Sequence, residues 1–279
     1  MRDVLEAVLQ AEASGEPAAM VTVVATEGST PQKAGARMLV FGDGRIVGTI
    51  GGGCLEAEMS WRAREAIGGR RPRLVSYDLT PDQAGEDGLV CGGRMQVFIE
   101  PIEGTPVLCL FGAGHVAQPL ARMAKACGFR VELADDRVKF ANAERFPEAD
   151  AIVVDDFVAA AGRMTLGPNS YAIVVTRGHK GDGEALQAVL GRGLRFVGLL
   201  GSKPKVVHIF AALEEKGVPR EELARVHAPL GLEIGAQTPD EIAVSILAEM
   251  IAVRRGVDPA RARSMKMELP GRMSPGHVE

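Results

Sequence analysis

The chain has 279 residues, 46% of them hydrophobic and 24% charged, with a formal net charge of −4. The length is enough for two domains of ordinary size, and the composition is that of a globular protein. The acidic balance argues against a nucleic-acid partner, and no apolar run is long enough to predict a membrane span. The N-terminal segment lacks the basic start and apolar core of a signal peptide, so we predict a cytoplasmic protein.

The first hundred residues predict a small α+β domain. An amphipathic helix opens the chain, and a β-branched run at 19–25 predicts the first strand. Strands at 37–41 and 45–50 flank the turn "GDG", which predicts a hairpin. The pattern continues with a helix at 55–67 and strands at 74–78 and 95–100.

The segment "EPIEGTP" at 100–106 carries two prolines and a glycine, and the sequence pattern changes after it. We therefore assign residues 1–103 to the N-terminal domain, 106–257 to a second domain and 258–279 to a polar tail.

The second domain alternates apolar strands with helices, as a doubly wound α/β fold does. Residues 107–111 are all apolar, which is typical of a parallel strand buried on both faces. Thr238, Pro239 and Glu241 predict a capping box at the last helix. The other predicted strands are 151–154, 171–176, 195–199 and 225–228, and the helices are 182–192, 203–217 and 239–255. The predicted fold class is α/β: an N-terminal α+β domain followed by a Rossmann-like, doubly wound parallel-sheet domain.

A glycine-rich turn follows the strand at 107–111. Gly112, Gly114 and Ala117 form GxGxxA between that strand and a helix, and Asp135 follows at the end of the next strand. Dinucleotide-binding turns have this arrangement: the helix N-terminus holds a phosphate and the acid binds a ribose hydroxyl. The alternative is a Rossmann-like domain without a nucleotide.

Polar residues of other loops are predicted to lie at the same edge of the sheet. His115 is in the glycine turn, and His179 follows a strand that is its neighbour in the usual Rossmann order. Ser202 and Lys203 lie in "GLLGSKPK", and His227 follows later. We predict that His115 and His179 face each other across one ligand site to which Ser202 and Lys203 contribute. Each histidine alone is equally well explained as a surface or core residue, and no spacing indicates a metal site.

The N-terminal domain carries a different glycine motif, "IGGGCLEAE" at 50–58. Gly51, Gly52 and Gly53 precede Cys54 at a predicted helix start, where the helix dipole and free N–H groups favour an anion and a thiolate. The motif therefore predicts an anion-binding nest beside a reactive thiol. Glu56 is either part of this site or only a helix cap.

Two more segments are candidates for the same site. Cys91 precedes a glycine pair, and Ser29 lies in the loop "TEGSTPQKAG", where its hydroxyl is a candidate phosphate ligand. Cys109 and Cys127 fit apolar core positions instead. None of the four cysteines forms a CxxC pair, so the sequence indicates neither a zinc site nor a thioredoxin motif.

Together these motifs resemble one family. "TEGSTPQKAGARMLV", "GTIGGGCLEAE" and "CGGRMQVFIEP" are similar to the N-terminal signature of XdhC/CoxI proteins, and "FGAGHVAQPLA", "VVTRGHKGD" and "GLLGSKPK" to their Rossmann domain. The resemblance runs in order from about residue 5 to 256. It departs at Lys203 and Pro204, where basic residues such as Arg are expected, and at Glu233, where Asp is expected.

The resemblance implies a maturation factor for molybdenum hydroxylases of the xanthine dehydrogenase type, an accessory protein rather than a metabolic enzyme. Such a factor binds molybdenum cofactor (molybdopterin), protects it while a terminal sulfur is installed, and delivers it to the apoenzyme. A cysteine desulfurase supplies the sulfur. Cys54 would contact molybdenum or relay sulfur. The site residues implied in this sequence are Gly51, Gly52, Gly53, Cys54, Glu56 and Cys91.

Two other functions fit parts of the sequence. An NAD(P)-dependent oxidoreductase would bind its cofactor at the GAGHVA turn and use His115 or His179 as proton donor. A redox sensor would form a reversible disulfide between Cys54 and Cys91. The sequence leaves open whether the Rossmann crevice binds the cofactor's nucleotide, NAD(P) or nothing, and it is compatible with a homodimer.

Overall fold

The computed structural model describes residues 2–79 and 92–262. In the first half of the chain, five strands form an antiparallel sheet with one helix on each face. In chain order the elements are α1 (Arg2–Ser14), β1 (Ala18–Glu27), β2 (Arg37–Phe41), β3 (Ile46–Gly48), α2 (Gly53–Gly69), β4 (Arg73–Asp78) and β5 (Arg94–Ile102). The strand order is β3-β2-β1-β5-β4, and β2 pairs with β3 as the predicted hairpin.

The alternation of side chains along β2 explains why both faces are covered. Met38 and Val40 are fully buried in the core that includes the apolar face of α2. Leu39 and Phe41 point to the opposite face and pack with α1. A strand with four consecutive buried apolar residues, Met38 to Phe41, therefore requires a layer on each side.

The second half of the chain forms a parallel sheet. Its elements are β6 (Val107–Phe111), α3 (Ala117–Ala126), β7 (Arg130–Ala134), β8 (Ala151–Val153), α4 (Phe157–Ala161), β9 (Ser170–Val174), α5 (His179–Val189), β10 (Phe196–Leu199), α6 (Lys203–Glu215), α7 (Arg220–Leu223), α8 (Pro239–Arg254) and a 3-10 turn (Pro259–Arg261). The strand order is β10-β9-β6-β7-β8. β6 and β9 are hydrogen-bonded neighbours, as the Rossmann order predicts.

The parallel sheet is doubly wound, which confirms the predicted fold class. Leu108 and Leu110 of β6 belong to the core beneath α3 and α8. Cys109 and Phe111 of the same strand belong to the core on the other face, with α4, α5 and α6. The capping box predicted at α8 is present, since Thr238 accepts from Glu241 N–H and Glu241 accepts from Thr238 N–H.

Some predicted elements differ from the structure. The strand predicted at 225–228 is reduced to one bridge between Gly198 and His227. Helix α5 begins at His179 instead of residue 182, because glycines in its first turns conceal the helical pattern in the sequence. The short helix α4 was not predicted, since it has only five residues. Within residues 2–79 and 92–262, no helix is long and apolar enough to cross a membrane.

Candidate functional site

Two loops of the N-terminal domain pack backbone against backbone. A Cβ atom on Gly93 would lie 2.5 Å from the carbonyl oxygens of both Glu27 and Ser29. A Cβ atom on Gly28, whose φ is +69°, would lie 3.0 Å from the carbonyl oxygen of Gly92. Only glycine allows this approach, so the loop that carries Ser29 is fixed against the glycine pair that follows residue 91. Ser29 itself is exposed.

The same loop also contacts the triple-glycine motif. Gly51 has a φ of +135°, and a Cβ atom there would lie 2.5 Å from Cγ of Pro31. Three segments that are far apart in the sequence therefore lie together at one end of the antiparallel sheet. The structure brings together Ser29, Gly51 and the glycines at 92 and 93, while Cys91 lies outside the described residues.

Glu56 holds the glycine loop in place. Its carboxylate accepts hydrogen bonds from the Thr49 hydroxyl and from the N–H of Ile50, the latter at 3.0 Å. Partial burial acts to raise the pKa of Glu56, but the hydrogen bond from Thr49 and the backbone N–H groups of Gly52, Ile50 and Gly51 outweigh it, so the pKa is lower than its usual value of 4.5. A carboxylate of the chain itself therefore binds in the predicted nest, where it fixes the loop before α2 and does not cap the helix.

Cys54 is the second residue of α2, and its side chain is exposed. Gly52 and Gly53 have φ values of +76° and +61°, and no atom lies within 4 Å of a Cβ built on either. No side chain caps this end of α2. The backbone open to a ligand is therefore that of Gly52 and Gly53, while the space beside Gly51 is filled by the protein.

An open cleft of about 780 Å³ lies beside Cys54. One wall is α2, with Glu58 and Arg62 in an ion pair at 2.7 Å, and the other is the end of β4 with Tyr77. Burial, followed by the electrostatic influence of Cys54 and Glu58, raises the pKa of the Tyr77 hydroxyl. Trp61, on the same helix, is half exposed. The cleft thus combines a thiol, a guanidinium and a phenol on rigid elements.

The other cysteines differ from each other. Cys109 is buried in the core as predicted, and burial raises the pKa of its thiol. The core position predicted for Cys127 is wrong, because its side chain is exposed. Cys127 is the cap residue after the last turn of α3 and has a non-helical backbone with φ −88° and ψ 10°, so the periodicity of the helix does not extend to it.

The GAGHVA turn has the conformation that its glycines predict. Gly112 has a φ of +114°, and a Cβ atom there would lie 2.5 Å from the carbonyl oxygen of Val175. This close approach to the end of β9 excludes any side chain. Gly114 has open space where its Cβ would be. His115 is exposed beside it.

Asp135 is fully buried and its hydrogen-bonding capacity is used. One carboxylate oxygen accepts from the N–H and Nε of Arg137, and the other accepts from the N–H of Ala113 and from Nη2 of Arg137, all at 2.8–3.0 Å. A carboxylate has about four acceptor sites. Ribose binding by Asp135 would therefore require Arg137 or Ala113 to release it, and in this geometry Asp135 positions the glycine turn.

An ion pair crosses the same edge of the sheet. Arg177, just after β9, bonds Asp136, just after β7, at 2.8 Å, and β6 lies between these two strands. This exposed pair spans the crevice above the glycine turn.

His179 is the first residue of α5 and its ring contacts the ring of His208 on α6, with 5.6 Å between their centroids. His208 was not predicted as a site residue, because its only signal in the sequence is its place on the helix that "GSKPK" opens. His179 and His115 are both exposed at the carboxyl edge of the sheet, and their predicted pairing across one site stays a prediction. His227 fits the non-functional alternative, since Nδ1 bonds Glu249 at 2.7 Å and its ring stacks on Phe196 at 4.1 Å.

A buried polar network lies between α5 and α6. Asp182 is fully buried and accepts from the Thr176 hydroxyl at 2.7 Å, and the ammonium of Lys205 forms an ion pair with it. Ser202 and Lys203, the predicted ligands of this loop, are both exposed at the start of α6. The lysine that reaches inward is thus Lys205, the second lysine of "GLLGSKPK", and not the predicted ligand Lys203.

Within the described residues, no group of three or more His, Cys, Asp or Glu side chains is arranged to hold a metal ion. A metal at Cys54 would therefore need ligands that it brings with it.

Replacing Glu56 by Gln should destabilise the domain by about 1–2 kcal/mol at neutral pH, because the loop N–H groups lose a charged acceptor. The lowered pKa means that this stabilisation is complete above the usual value of 4.5 and is lost as the pH falls through the lower folded-state value. Thermal unfolding from about pH 7 to about pH 3 measures the difference between the variant and wild type. Glu65→Gln, on the same helix in an exposed pair with Arg73, is the matched control. An equal effect of the two substitutions would contradict the role of Glu56.

Replacing Asp182 by Asn should destabilise the second domain by about 2–3 kcal/mol, because Lys205 is left largely buried without a counter-charge. The double variant Asp182→Asn with Lys205→Met should recover most of this loss. Chemical denaturation of the wild type, both single variants and the double variant gives the coupling energy. Additive losses would show that the pair does not act as a unit.

The chain matches two family models. The model described as "XdhC and CoxI family" matches residues 11–78, and the model described as "XdhC Rossmann domain" matches residues 108–250. Among solved structures, one described as a xanthine dehydrogenase from Bacillus halodurans superposes with a TM-score of 0.50 at 25% identity, covering 93% of this chain and 98% of that one.

Curated relatives agree with these matches. YqeB of Escherichia coli K12 is 40% identical over 85% of this chain, but the chain spans only 44% of the length of YqeB. A protein of Bacillus subtilis 168 named as a probable xanthine dehydrogenase subunit is 27% identical, over 87% of this chain and 94% of that protein. The molybdenum cofactor insertion chaperone PaoD of Escherichia coli K12 is 26% identical, over 91% of this chain and 88% of that protein. Since the Rossmann-domain model alone matches more than half of the residues, the chain belongs to the XdhC/CoxI family.

Proposed function

We propose that this protein is a maturation factor that binds molybdenum cofactor beside Cys54 and serves a molybdenum hydroxylase. The observation that carries the proposal is the exposed thiol of Cys54 at the start of α2, next to the open backbone of Gly52 and Gly53. The names of two relatives, a molybdenum cofactor insertion chaperone and a probable xanthine dehydrogenase subunit, support it.

The residues of the cleft fit such a group. Molybdenum cofactor supplies a metal that accepts sulfur ligands and a pterin that carries phosphate. A thiolate is a soft ligand, and the side chain of Cys54 is exposed beside the cleft. The cleft of about 780 Å³ is within the range of sites for small molecules, and it is open to solvent.

The geometry also indicates where a phosphate would bind. Glu56 already accepts from the N–H of Ile50, and the N–H of Gly51 donates to the Thr49 hydroxyl at 3.2 Å, so these two donors are not available to a second anion. The remaining donors are the uncapped N–H groups in the first turn of α2 and the guanidinium of Arg62. We therefore place the anionic end of the ligand between Gly53 and Arg62, with the ring of Tyr77 as the apolar contact. Ser29 contributes from the loop that packs on Gly93.

Cys54 either contacts the metal or relays sulfur. In the second case its thiolate attacks the terminal sulfur of a persulfide on the donor, a cysteine desulfurase. The new S–S bond forms on Cys54, the S–S bond of the donor breaks, and the donor cysteine leaves as a thiolate, so no further oxidant is needed. Exposure of Cys54 on a rigid helix favours either role, and Cys91 stays the predicted second thiol. The protein would then deliver the sulfurated cofactor to the apo hydroxylase.

For the Rossmann crevice we propose a nucleotide ligand, either the nucleotide part of the cofactor or NAD(P). The open face of Gly114 beside the helix N-terminus supports a phosphate there. The exposed side chains that surround this edge are His115, His179, Ser202 and Lys203. Because Asp135 has no free acceptor, the ribose hydroxyls would be bound by other groups.

Replacing Cys54 by Ser should lower cofactor binding at least about tenfold, because a hydroxyl is a poor ligand for a soft metal and cannot carry persulfide sulfur. The measurement is pterin fluorescence released from protein purified from a molybdenum-replete host, together with activation of the client hydroxylase.

Cys127→Ser is the matched control, since Cys127 is the second exposed thiol among the described residues. It should retain wild-type cofactor content and activation. Full binding and full activation by the Cys54 variant would refute the proposed role of this thiol. Absence of pterin from the wild type, with strong thermal stabilisation by NAD⁺ or NADPH, would favour an oxidoreductase instead.

A further inference from the structure

A second cleft, of about 530 Å³, lies where the two halves of the chain meet, and arginines dominate its lining. We call it the arginine cleft. Arg70 and Arg71 come from the end of α2, Arg195 precedes β10, and Arg254 and Arg255 end α8. The only acidic residues in its lining are Glu100 and Glu103.

Three of these arginines are fixed by hydrogen bonds, and Arg254 donates away from the cleft, to the carbonyl oxygen of Cys127 at 3.1 Å. Arg195, whose side chain is only 10% exposed, donates to Glu103 at 3.2 Å and to the carbonyl oxygen of Arg254 at 2.6 Å. Arg70 donates to the side chain of Asn169 at 3.1 Å and to the carbonyl oxygen of Pro168 at 3.0 Å. The guanidiniums of Arg195 and Arg70 therefore join the N-terminal half to the Rossmann half in a fixed geometry.

The backbone at Arg70 is in the left-handed conformation, with φ 49°, which no other described non-glycine residue adopts. This conformation is unfavourable for a side chain such as arginine. Burial, followed by the charge of Arg195, lowers the pKa of Arg70, which shows that like charges are held close together here.

The charges in the arginine cleft are not balanced. The lining contains five arginines and two glutamates. The C-terminal ends of α2 and α8 also lie here, and each acts as roughly −0.5 of a charge, which leaves an excess of about +2. Within the described residues, neither Arg71 nor Arg255 has a carboxylate within 4 Å. Helix capping alone therefore does not account for the arginines.

A buried hydroxyl without a partner lies next to this cleft. Tyr171 is fully buried, and its hydroxyl has no hydrogen-bond partner among the described residues. The charged groups that act on it are Arg195, Arg254, Arg70 and Glu103, all of which line the arginine cleft. An unsatisfied buried hydroxyl is unfavourable by about 1–3 kcal/mol, and Tyr171 itself lies behind the residues that line the cleft.

We propose that the arginine cleft binds a dianionic oxyanion, namely phosphate or a phosphate monoester, and that this ligand links the two halves of the chain. The excess of about +2 matches the charge of a phosphate group near neutral pH, and guanidinium N–H groups bind such oxygens in pairs. The site is separate from Cys54, because the 17 residues of α2 place its two ends about 25 Å apart.

Isothermal titration calorimetry of the full chain tests the proposal, with inorganic phosphate and ribose 5-phosphate as probes at constant ionic strength. The wild type should bind one equivalent of at least one probe. Tighter binding of ribose 5-phosphate indicates a phosphate monoester as the ligand, and equal binding indicates free phosphate. No saturable binding of either probe at millimolar concentration would overturn the proposal.

The double variant Arg71→Gln with Arg255→Gln should weaken binding at least about tenfold, since two charged donors are lost. Both side chains are exposed, so the fold should be retained. Arg64→Gln with Arg220→Gln removes the same charge from exposed positions elsewhere and should keep wild-type affinity. Equal weakening in the two double variants would show only a long-range effect of net charge and would overturn the site.

A single variant separates this site from the site at Cys54. Cys54→Ser should leave phosphate affinity unchanged, so failure of the cofactor proposal and failure of this one can be distinguished.

Discussion

The hydrogen bonds made by the carboxylate of Glu56 determine the form of the candidate site in the N-terminal domain. Three consecutive glycines have a backbone that is free to adopt many conformations, and conformational freedom opposes folding. Glu56 lies one helical turn into α2 and bonds back to the N–H of Ile50 and the hydroxyl of Thr49, so the loop is tied to the helix that follows it. The position of Cys54 depends on this connection. The glycines serve two purposes: Gly51 allows contact with Pro31, and Gly52 and Gly53 leave the outer side of the loop open.

The architecture could be predicted from the sequence, because the antiparallel and the parallel sheet produce different patterns of apolar residues and turns. In β6 every residue is apolar, and the structure buries alternate residues in two cores, as expected for a parallel strand between helices. The hairpin of β2 and β3 was marked by its glycine turn, and α8 by its capping box. The segment predicted as a strand at 225–228 forms only one β-bridge. The sequence could not show this, because a four-residue segment has the same pattern whether it forms one bridge or a full strand.

The site was predictable in position but not in its hydrogen bonds. Sequence spacing put Cys54 at a helix start, yet it could not decide whether the nest is filled by a ligand or by Glu56, since that depends on where one side chain points. In the same way, Asp135 has the spacing of a ribose ligand, and only the structure brings Arg137 and Ala113 onto its oxygens. Of the two lysines of "GSKPK", only Lys205 reaches the buried Asp182. Pro204 fits the first turn of α6, where its missing N–H has no intrahelical partner to lose.

Trp61 gives this molecule a built-in spectroscopic label. It is the one tryptophan of the chain, and it follows Cys54 by seven residues on the same face of α2, about 10 Å along the helix axis. Its ring is half exposed, so its emission responds to changes of polarity at the surface of this helix. The Rossmann half contributes no tryptophan signal at all. Tryptophan fluorescence of the intact protein therefore reports on one face of one helix in the N-terminal domain, without any chemical modification.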